Sequence, residues 1–363
     1  VNGYDVAIIG AGIAGASLAA EIAPHARVVL LEAEAQPGYH STGRSAAFWS
    51  ETYGGPLIQP LTSASGPALR DGGFLEPLGS LHIGRKEDRA KMDAFIAAFE
   101  GSGIPLEPTD PARLVPGLRP EWSEGLLEQS CAYIDVAALH AHFLATARRH
   151  GAELLCRAAL TGGQRLGASW LLETTAGAVR AGVVVNAAGA WADPVGVMLG
   201  AKPLGIQPYR RTLVQLRTEP ESVMGMPHVV DIGGSFYFKP EAGGKLWLSP
   251  HDETAVMASD VAPEELDVAI AIDRFEQVVD WRVAAVERKW AGLRSFAPDR
   301  RPVYGFDPLL PGLFWCAGQG GFGIQTAPAG AKVAAALLLD RTPDAAVRGI
   351  DGQAYGAYRF NTL

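Results

Sequence analysis

Residues Tyr4 to Glu32 confine the chain more tightly than any other stretch. An apolar run, Val6-Ala7-Ile8-Ile9, leads into Gly10-Ala11-Gly12-Ile13-Ala14-Gly15. An alanine-rich segment then reaches Ile22, and a second apolar run, Val28-Val29-Leu30-Leu31, ends in Glu32. Strand, glycine turn, helix, strand and acid in this order is the unit that binds an adenine dinucleotide. Gly10 lets the chain turn off the strand, Gly12 lets a pyrophosphate approach the backbone, and Gly15 lets the helix pack against the sheet. The pyrophosphate would sit on the helix N-terminus at Gly12, Ile13 and Ala14. Glu32, with Ala33 beside it, would take the ribose hydroxyls, and an acid there disfavours a 2′-phosphate. The motif alone leaves NAD and FAD both open.

At 363 residues the chain is longer than one core usually grows, so two domains are expected. A net charge of −8 argues against nucleic acid as a partner. The cysteines Cys131, Cys156 and Cys316 are far apart, odd in number and without a CxxC pair, which predicts reduced thiols rather than a zinc site or disulfide frame. No apolar run reaches membrane-spanning length, and Val1 lies just before the first strand, so neither a transmembrane nor a targeting segment is expected. A cytoplasmic location is the reading, with peripheral contact at a membrane left open.

Further along, Leu57–Ala64 reads as a short helix, Lys86–Gly101 as an amphipathic helix with Met92, Phe95, Ile96 and Phe99 on one face, and Pro105–Pro120 as irregular. Asp135 is an expected N-cap for a helix through His150. His140 and His142 fall on different faces of that helix, so no metal site is expected. Val183–Asn186 followed by Ala187-Ala188-Gly189 reads as a second buried strand ending at a ligand. Between Ile206 and Pro250 the pattern alternates, as in antiparallel sheet. Leu313–Ala317 is a strand, Gly318–Gly323 a glycine loop, and Thr326 the expected cap of a helix with Pro328 in its first turn. A second helix N-terminus behind a glycine loop suits a large two-ended cofactor, which favours FAD over NAD. Arg44, in the small polar stretch after Glu32, is read as either a surface charge or a phosphate or ring contact.

The blocks GAGIAGAS (Gly10–Ser17), AQPGYHSTGRSAA (Ala35–Ala47), VNAAGAWAD (Val185–Asp193), PLGIQPYRR (Pro203–Arg211), SFYFKP (Ser235–Pro240), WAGLRSF (Trp290–Phe296) and QGGFGIQT (Gln319–Thr326) occur in order across the chain. Together they resemble the FAD-dependent D-amino-acid dehydrogenase and oxidase family, within a wider group that includes glycine and sarcosine oxidases, and most of all its D-arginine dehydrogenases. The resemblance implies an α/β fold: a Rossmann-like FAD-binding domain from 1–77, 133–205 and 291–363, and an α+β substrate domain on a mostly antiparallel sheet from 78–132 and 206–290. It implies that Arg211 and Arg294 clamp a substrate carboxylate, that Tyr237 assists, and that Tyr53 belongs to a mobile lid or substrate wall. Gly321 and Gln325 would lie near the substrate amine and the flavin. Arg44, Ser45, Ala46 and Ala47 would line the isoalloxazine, and Ala188, Gly189, Gly320, Gly323, Ile324 and Thr326 would complete the cofactor site.

Two departures bear on specificity. Phe48 stands where the resembled enzymes have a histidine, and Ser80 roughly where they have an acid for a cationic side chain. Neutral or hydrophobic amino acids are therefore expected over D-arginine or D-lysine. No cysteine stands at Leu293–Phe296, so the FAD is expected to be non-covalent. The expected reaction is oxidative deamination to a 2-oxo acid and ammonia, with oxygen, a quinone or a protein as electron acceptor. Alternatives are oxidation of a 2-hydroxy acid or a secondary amine such as sarcosine, a flavin-carrying subunit of a larger dehydrogenase, and an NAD-dependent enzyme.

Overall fold

The computed structural model describes residues 3–223 and 225–360. The apolar runs form the middle of an eight-stranded sheet. Gly3–Ile9 lies between Val28–Leu31 and Gly177–Asn186, all parallel, with Glu153–Leu155 beyond Val28–Leu31. Strand period decides the burial. Val6 and Ile8 face a core built with the Ile13–Ile22 and Ala327–Leu338 helices, whereas Ala7 and Ile9 face the opposite core with Trp170, Val195 and Trp315. Both faces are covered, which is why these strands read as continuous apolar runs.

The Gly177–Asn186 strand changes partner along its length. Its first half pairs antiparallel with Ser169–Thr174, and its last three residues pair parallel with Leu313–Ala317. Ile9 is level with Asn186, and Asn186 with Trp315. The three segments that follow, at Gly10, Ala187 and Gly318, therefore leave the sheet along one edge, at the carboxyl ends of its strands. That edge is where open α/β sheets bind ligands.

A ten-stranded, mainly antiparallel sheet packs across it. Its order runs from Gln319–Gly320 through Arg282–Phe296, Gln207–Glu219, Lys245–Ser249, Tyr237–Glu241 and His228–Asp231 to Ser80–Gly84, Glu124–Glu128 and Leu106–Pro108. The Glu265–Glu276 helix covers one face with Val268, Ala271 and Phe275. The Arg282–Phe296 strand runs without a break through 290 and 291. A small three-stranded sheet joins Phe48–Trp49 to Ala132–Ile134 and Leu75–Pro77.

Several local expectations need correction. The helix expected at Leu57–Ala64 spans Gln59–Asp71 and continues through Pro67. Tertiary packing outweighs the proline: Leu61, Ser65 and Leu69 are buried, and Ser65 Oγ accepts from Ala329 N at 3.1 Å on the neighbouring helix. The amphipathic segment opens with a 3-10 turn, Lys86–Asp88, and its helix is Arg89–Ala98. The proline-rich stretch holds an edge strand, Leu106–Pro108. Asp135 does cap the Val136–Arg149 helix, accepting from Ala138 N at 2.8 Å. Thr326 does not cap by its side chain: its hydroxyl turns back to Phe322 O at 2.8 Å, satisfying a loop carbonyl instead.

The three cysteines are free thiols, Cys131 and Cys316 buried. Among the described residues no His, Cys, Asp and Glu cluster is placed to hold a metal, and no helix is long and apolar enough to cross a membrane.

Candidate functional site

A cavity of about 490 Å³ opens along the edge where the strands end. Gly10, Gly12, Ile13 and Ala14 form one wall, with Glu32 and Ala33 at one end. Ala188 and Gly189 come from the second turn, Arg44 and Ser45 from the loop after Glu32, and Gly320, Gly321, Gly323 and Ile324 from the last glycine loop. Segments about 300 residues apart in sequence thus share one cavity.

The glycines act differently. Gly10 adopts φ +99°, and a Cβ there would lie 2.5 Å from Ala187 O. A Cβ on Gly15 would run into the carbonyl oxygen of Gly10 and lie 3.1 Å from its carbon, so Gly15 faces protein and not the cavity. At Gly12 a Cβ would meet only Thr42 Oγ1, at 3.2 Å. Gly12 is the position kept bare for a ligand. The Ile13–Ile22 helix carries no acid in its first turn. An N-terminus with free positive dipole, a bare glycine and a long cavity fit the pyrophosphate of FAD. Glu32 is buried at the rim. Its carboxylate accepts from Ala11 N (2.9 Å) and Glu34 N (3.0 Å), so it also fixes the glycine loop. Thr42 Oγ1 takes the Ile13 N–H at 3.0 Å, and His140 Nε2 donates to Ala11 O at 2.8 Å. Neither support was foreseen, because both depend on loop packing.

Arg44 lines the cavity but its guanidinium does not enter it. It pairs with Asp260 and donates to Val261 O (3.1 Å) and Ala291 O (3.3 Å), with Tyr39 as its ring contact. Arg44 reads in sequence as either a surface charge or a ligand contact; its guanidinium is held by these protein partners while the residue lines the cavity. Ala46 and Ala47 lie in a small adjoining pocket with Phe48, Tyr53, Gly321 and Gln325. Ala47 holds φ +57°, a left-handed conformation uncommon outside glycine. Gln325, in the same small pocket, is held by protein partners. Its amide donates to Tyr53 O (3.0 Å) and Thr62 Oγ1 (2.9 Å) and accepts from Ser50 N (3.4 Å).

The second sheet supplies cations. Arg211 stands opposite Gly292, and Arg294 opposite Tyr209, on paired antiparallel strands. The two arginines are diagonal neighbours on one face, and Gly292 makes room for Arg44, whose Cβ would lie 3.2 Å from a Cβ at 292. Arg211 Nε donates to Asp252 O at 2.6 Å and its Nη2 to Glu253 at 3.3 Å. Arg294 Nη2 reaches the Tyr237 hydroxyl at 3.5 Å. The Nη1 of each is buried without a partner among the described residues. Two buried, unsatisfied donors of like charge on one face of a sheet are an arrangement suited to an anion such as a carboxylate.

The electrostatics follow. Burial and then the Arg294 charge lower the Arg211 pKa. Burial alone would raise Tyr237, but Arg294 and Arg211 outweigh it and its pKa is lowered. His251, ring to ring with Tyr237 at 5.6 Å, is lowered to about 3 by burial and then by Arg211 and Arg294. It therefore adds no third positive charge. Its Nδ1 donates to Gly234 O at 2.7 Å, which leaves Nε2 as a bare lone pair. His251 was missed because only the fold carries it to the arginines.

Strand period separates Arg211 from its neighbour. Arg210 points to the other face and pairs with Glu264 and, at 2.8 Å, Asp267. Arg210→Ala should lower stability by about 2 kcal/mol, since half-buried Asp267 loses its charged donor, while carboxylate binding stays within about twofold. Thermal melts and a ligand titration check both.

Of the departures noted above, the Phe48 ring stacks on His228 at 4.6 Å, and Ser80 Oγ hydrogen-bonds His228 Nδ1 at 3.0 Å.

The DAO family model, described as FAD dependent oxidoreductase, matches residues 5–337. L-proline dehydrogenase from P. horikoshii superposes with a TM-score of 0.85 at 22% identity, covering 98% of this chain and 97% of that one. Glycine oxidase from Geobacillus kaustophilus gives 0.81 at 23%, covering 96% and 98%. Mitochondrial dimethylglycine dehydrogenase of Rattus norvegicus is 27% identical over 98% of this chain but 45% of its own length. Other curated relatives are spanned over a fifth to about half of their length.

Proposed function

The chain belongs to the DAO family of FAD-dependent oxidoreductases, and from that premise we propose that it oxidises the Cα–N bond of a small amino acid with a free carboxylate and a neutral side chain. The single observation that carries this is the pair of unpartnered Nη1 donors of Arg211 and Arg294. FAD, when bound, supplies the two-electron acceptor for the Cα hydride. The arginines would hold the carboxylate bidentately and fix the direction of the Cα–H bond, so that binding energy becomes orientation. Tyr237 and Tyr53 would complete the carboxylate site. The Phe48 and Tyr53 rings, 5.3 Å apart, would exclude water and give the side chain an apolar wall. The amine must arrive unprotonated; His251, with its pKa near 3, is too weak a base to take a proton from a hydroxyl, which disfavours a 2-hydroxy acid. The imino acid then adds water and releases ammonia, leaving a 2-oxo acid. The D configuration rests on the sequence resemblance.

A second reading, oxidation of a secondary amine, is favoured by the dimethylglycine dehydrogenase relative, which is matched along nearly this whole chain. One experiment decides between them. The holoenzyme is mixed anaerobically with D- and L-amino acids, sarcosine, dimethylglycine and 2-hydroxy acids, and loss of flavin colour is followed. Fast bleaching by neutral D-amino acids is expected. Bleaching only by N-methyl substrates moves the assignment to the second reading, and bleaching by none of them removes both. Oxygen, a quinone analogue or a dye added afterwards identifies the acceptor by return of colour.

We also expect a non-covalent cofactor, because residues 293–296 of the strand along the cavity hold no cysteine. Acid precipitation should leave a colourless pellet and a yellow supernatant.

A further inference from the structure

Glu128 belongs to none of the motifs above, yet it has no exposed surface. It ends the Glu124–Glu128 strand of the second sheet, opposite Ser80. Its Oε2 accepts from the hydroxyls of Ser50 (2.9 Å) and Thr52 (2.6 Å); its Oε1 accepts from Glu51 N (2.7 Å) and Ser130 Oγ (3.3 Å). His82 Nε2 stands 3.9 Å away. Burial raises its pKa, but His82, Thr52 and Ser50 more than offset this, and the group stays ionised at neutral pH.

Three of these donors are consecutive residues, Ser50, Glu51 and Thr52, and the next residue is Tyr53. From the opposite side Gln325 holds the same segment through Ser50 N and Tyr53 O. The segment is therefore fastened from two sides, by Glu128 on the second sheet and by Gln325 in the loop before the Ala327–Leu338 helix. Of the two roles expected for Tyr53, a mobile lid or a substrate wall, this fastening favours the wall. The hydroxyl of Tyr53 ends against the carboxylate site: a Cβ on Gly321 would run into it and would also lie 3.2 Å from Arg294 Nε. Its ring packs on Phe48 and, at 5.2 Å, on Phe322.

We infer that Glu128 is a positioning residue for the carboxylate site, holding Ser50–Thr52 so that the Tyr53 hydroxyl meets the ligand held by Arg294. The inference rests on the reading of Arg211 and Arg294 as a carboxylate clamp. A hydrogen-bonded carboxylate suits the task better than an apolar plug, because three directed bonds from consecutive residues fix the loop in translation and rotation together. Glu128→Gln keeps the shape. Its amide oxygen must serve Glu51 N, which cannot turn, so its NH₂ faces the Ser50 and Thr52 hydroxyls, which can. The variant should fold with a loosened segment. Thr52→Val breaks the same fastening from the other partner.

The test uses the FAD-loaded protein and propionate, a carboxylate with a short apolar tail, titrated against the flavin spectrum. Propionate Kd should rise about tenfold in Glu128→Gln and about threefold in Thr52→Val, and by less than about twofold for either once Tyr53→Phe is already present. FAD affinity should be unchanged in each. That non-additivity is what a merely structural residue would not produce. Full effects retained in the Tyr53→Phe background overturn the inference, as does an unmoved Kd in both variants while Arg294→Met weakens propionate. An unmoved Kd in Arg294→Met as well overturns the clamp, and the positioning role with it.

Discussion

Gly15→Ala is expected to yield a protein that neither keeps FAD nor keeps its stability. The methyl would be driven into the carbonyl of Gly10, and both contacting atoms are backbone, so no side chain can swing aside. Relief requires the helix to move off the sheet. That shift displaces Gly12 to Ala14 from the cavity wall and disturbs the Glu32 contact to Ala11 N, 2.9 Å long. Overpacking of this kind costs about 3 kcal/mol, and the displaced anion site should raise the FAD Kd by about 100-fold or more. Gly12→Ala gives the contrast. Its methyl meets only the Thr42 hydroxyl at 3.2 Å in the ligand-free protein. It should leave apoprotein melting near the parent and still raise the FAD Kd, because it occupies the place of the pyrophosphate. Melting curves of apoprotein and FAD fluorescence titrations separate the two. If both variants lost stability equally, the division of labour between the glycines would be wrong.

How much of this was legible from the chain depends on the range of the interaction. The glycine turn and its flanking strands are local, so the strand, turn, helix and strand could be read, and with them the turn at Gly10 and the close packing at Gly15. Continuous apolar runs announced strands covered on both faces, and Asp135 announced a helix start. Side chains whose partners lie far away were not legible. Arg210 and Arg211 are adjacent and chemically identical; only the register with Gly292 and Leu293 shows which one faces the cavity. Arg44 stays open between a surface charge and a ligand contact in sequence because Asp260, its partner, lies more than 200 residues on. Gln325 sits in a motif that suggests substrate contact, yet its amide is engaged by Tyr53, Thr62 and Ser50. Glu128 occurs in an ordinary strand sequence, and nothing local says that its carboxylate is buried. In each case the missing information is which face of a strand meets which loop, and that is set only when the two sheets pack.

Arg294→Met should remove carboxylate affinity almost cleanly. The partner recorded for Arg294 is the Tyr237 hydroxyl at 3.5 Å, and its Nη1 is buried and unpartnered. Methionine keeps the length and apolar bulk but loses the charge, so the ligand loses one arm of a charge-assisted pair. A buried interaction of that type is worth about 3 to 4 kcal/mol when one side is truncated, or roughly 100- to 1000-fold in propionate Kd and in KM. Stability without ligand should change little: the mutation removes like-charge repulsion that helps depress the Arg211 pKa, and also the contacts with Tyr53 and Tyr237 that, against burial, raise the Arg294 pKa. Arg211→Met differs. Arg211 also holds the Asp252 carbonyl and Glu253, so its loss leaves the Asp252 carbonyl without that donor, while Glu253 keeps Arg300. It should weaken propionate by a similar factor and in addition destabilise the protein by about 2 kcal/mol. Arg294→Lys should recover less than about a tenth of the lost affinity, because an ammonium cannot reproduce the planar two-donor fork. The measurements are propionate titration, KM for the best substrate of the anaerobic panel, and melting of the apoprotein. Near-parental KM in both methionine variants would remove the clamp. Equal destabilisation of the two would show that Arg294 is held by protein partners and not by the ligand it is assigned here.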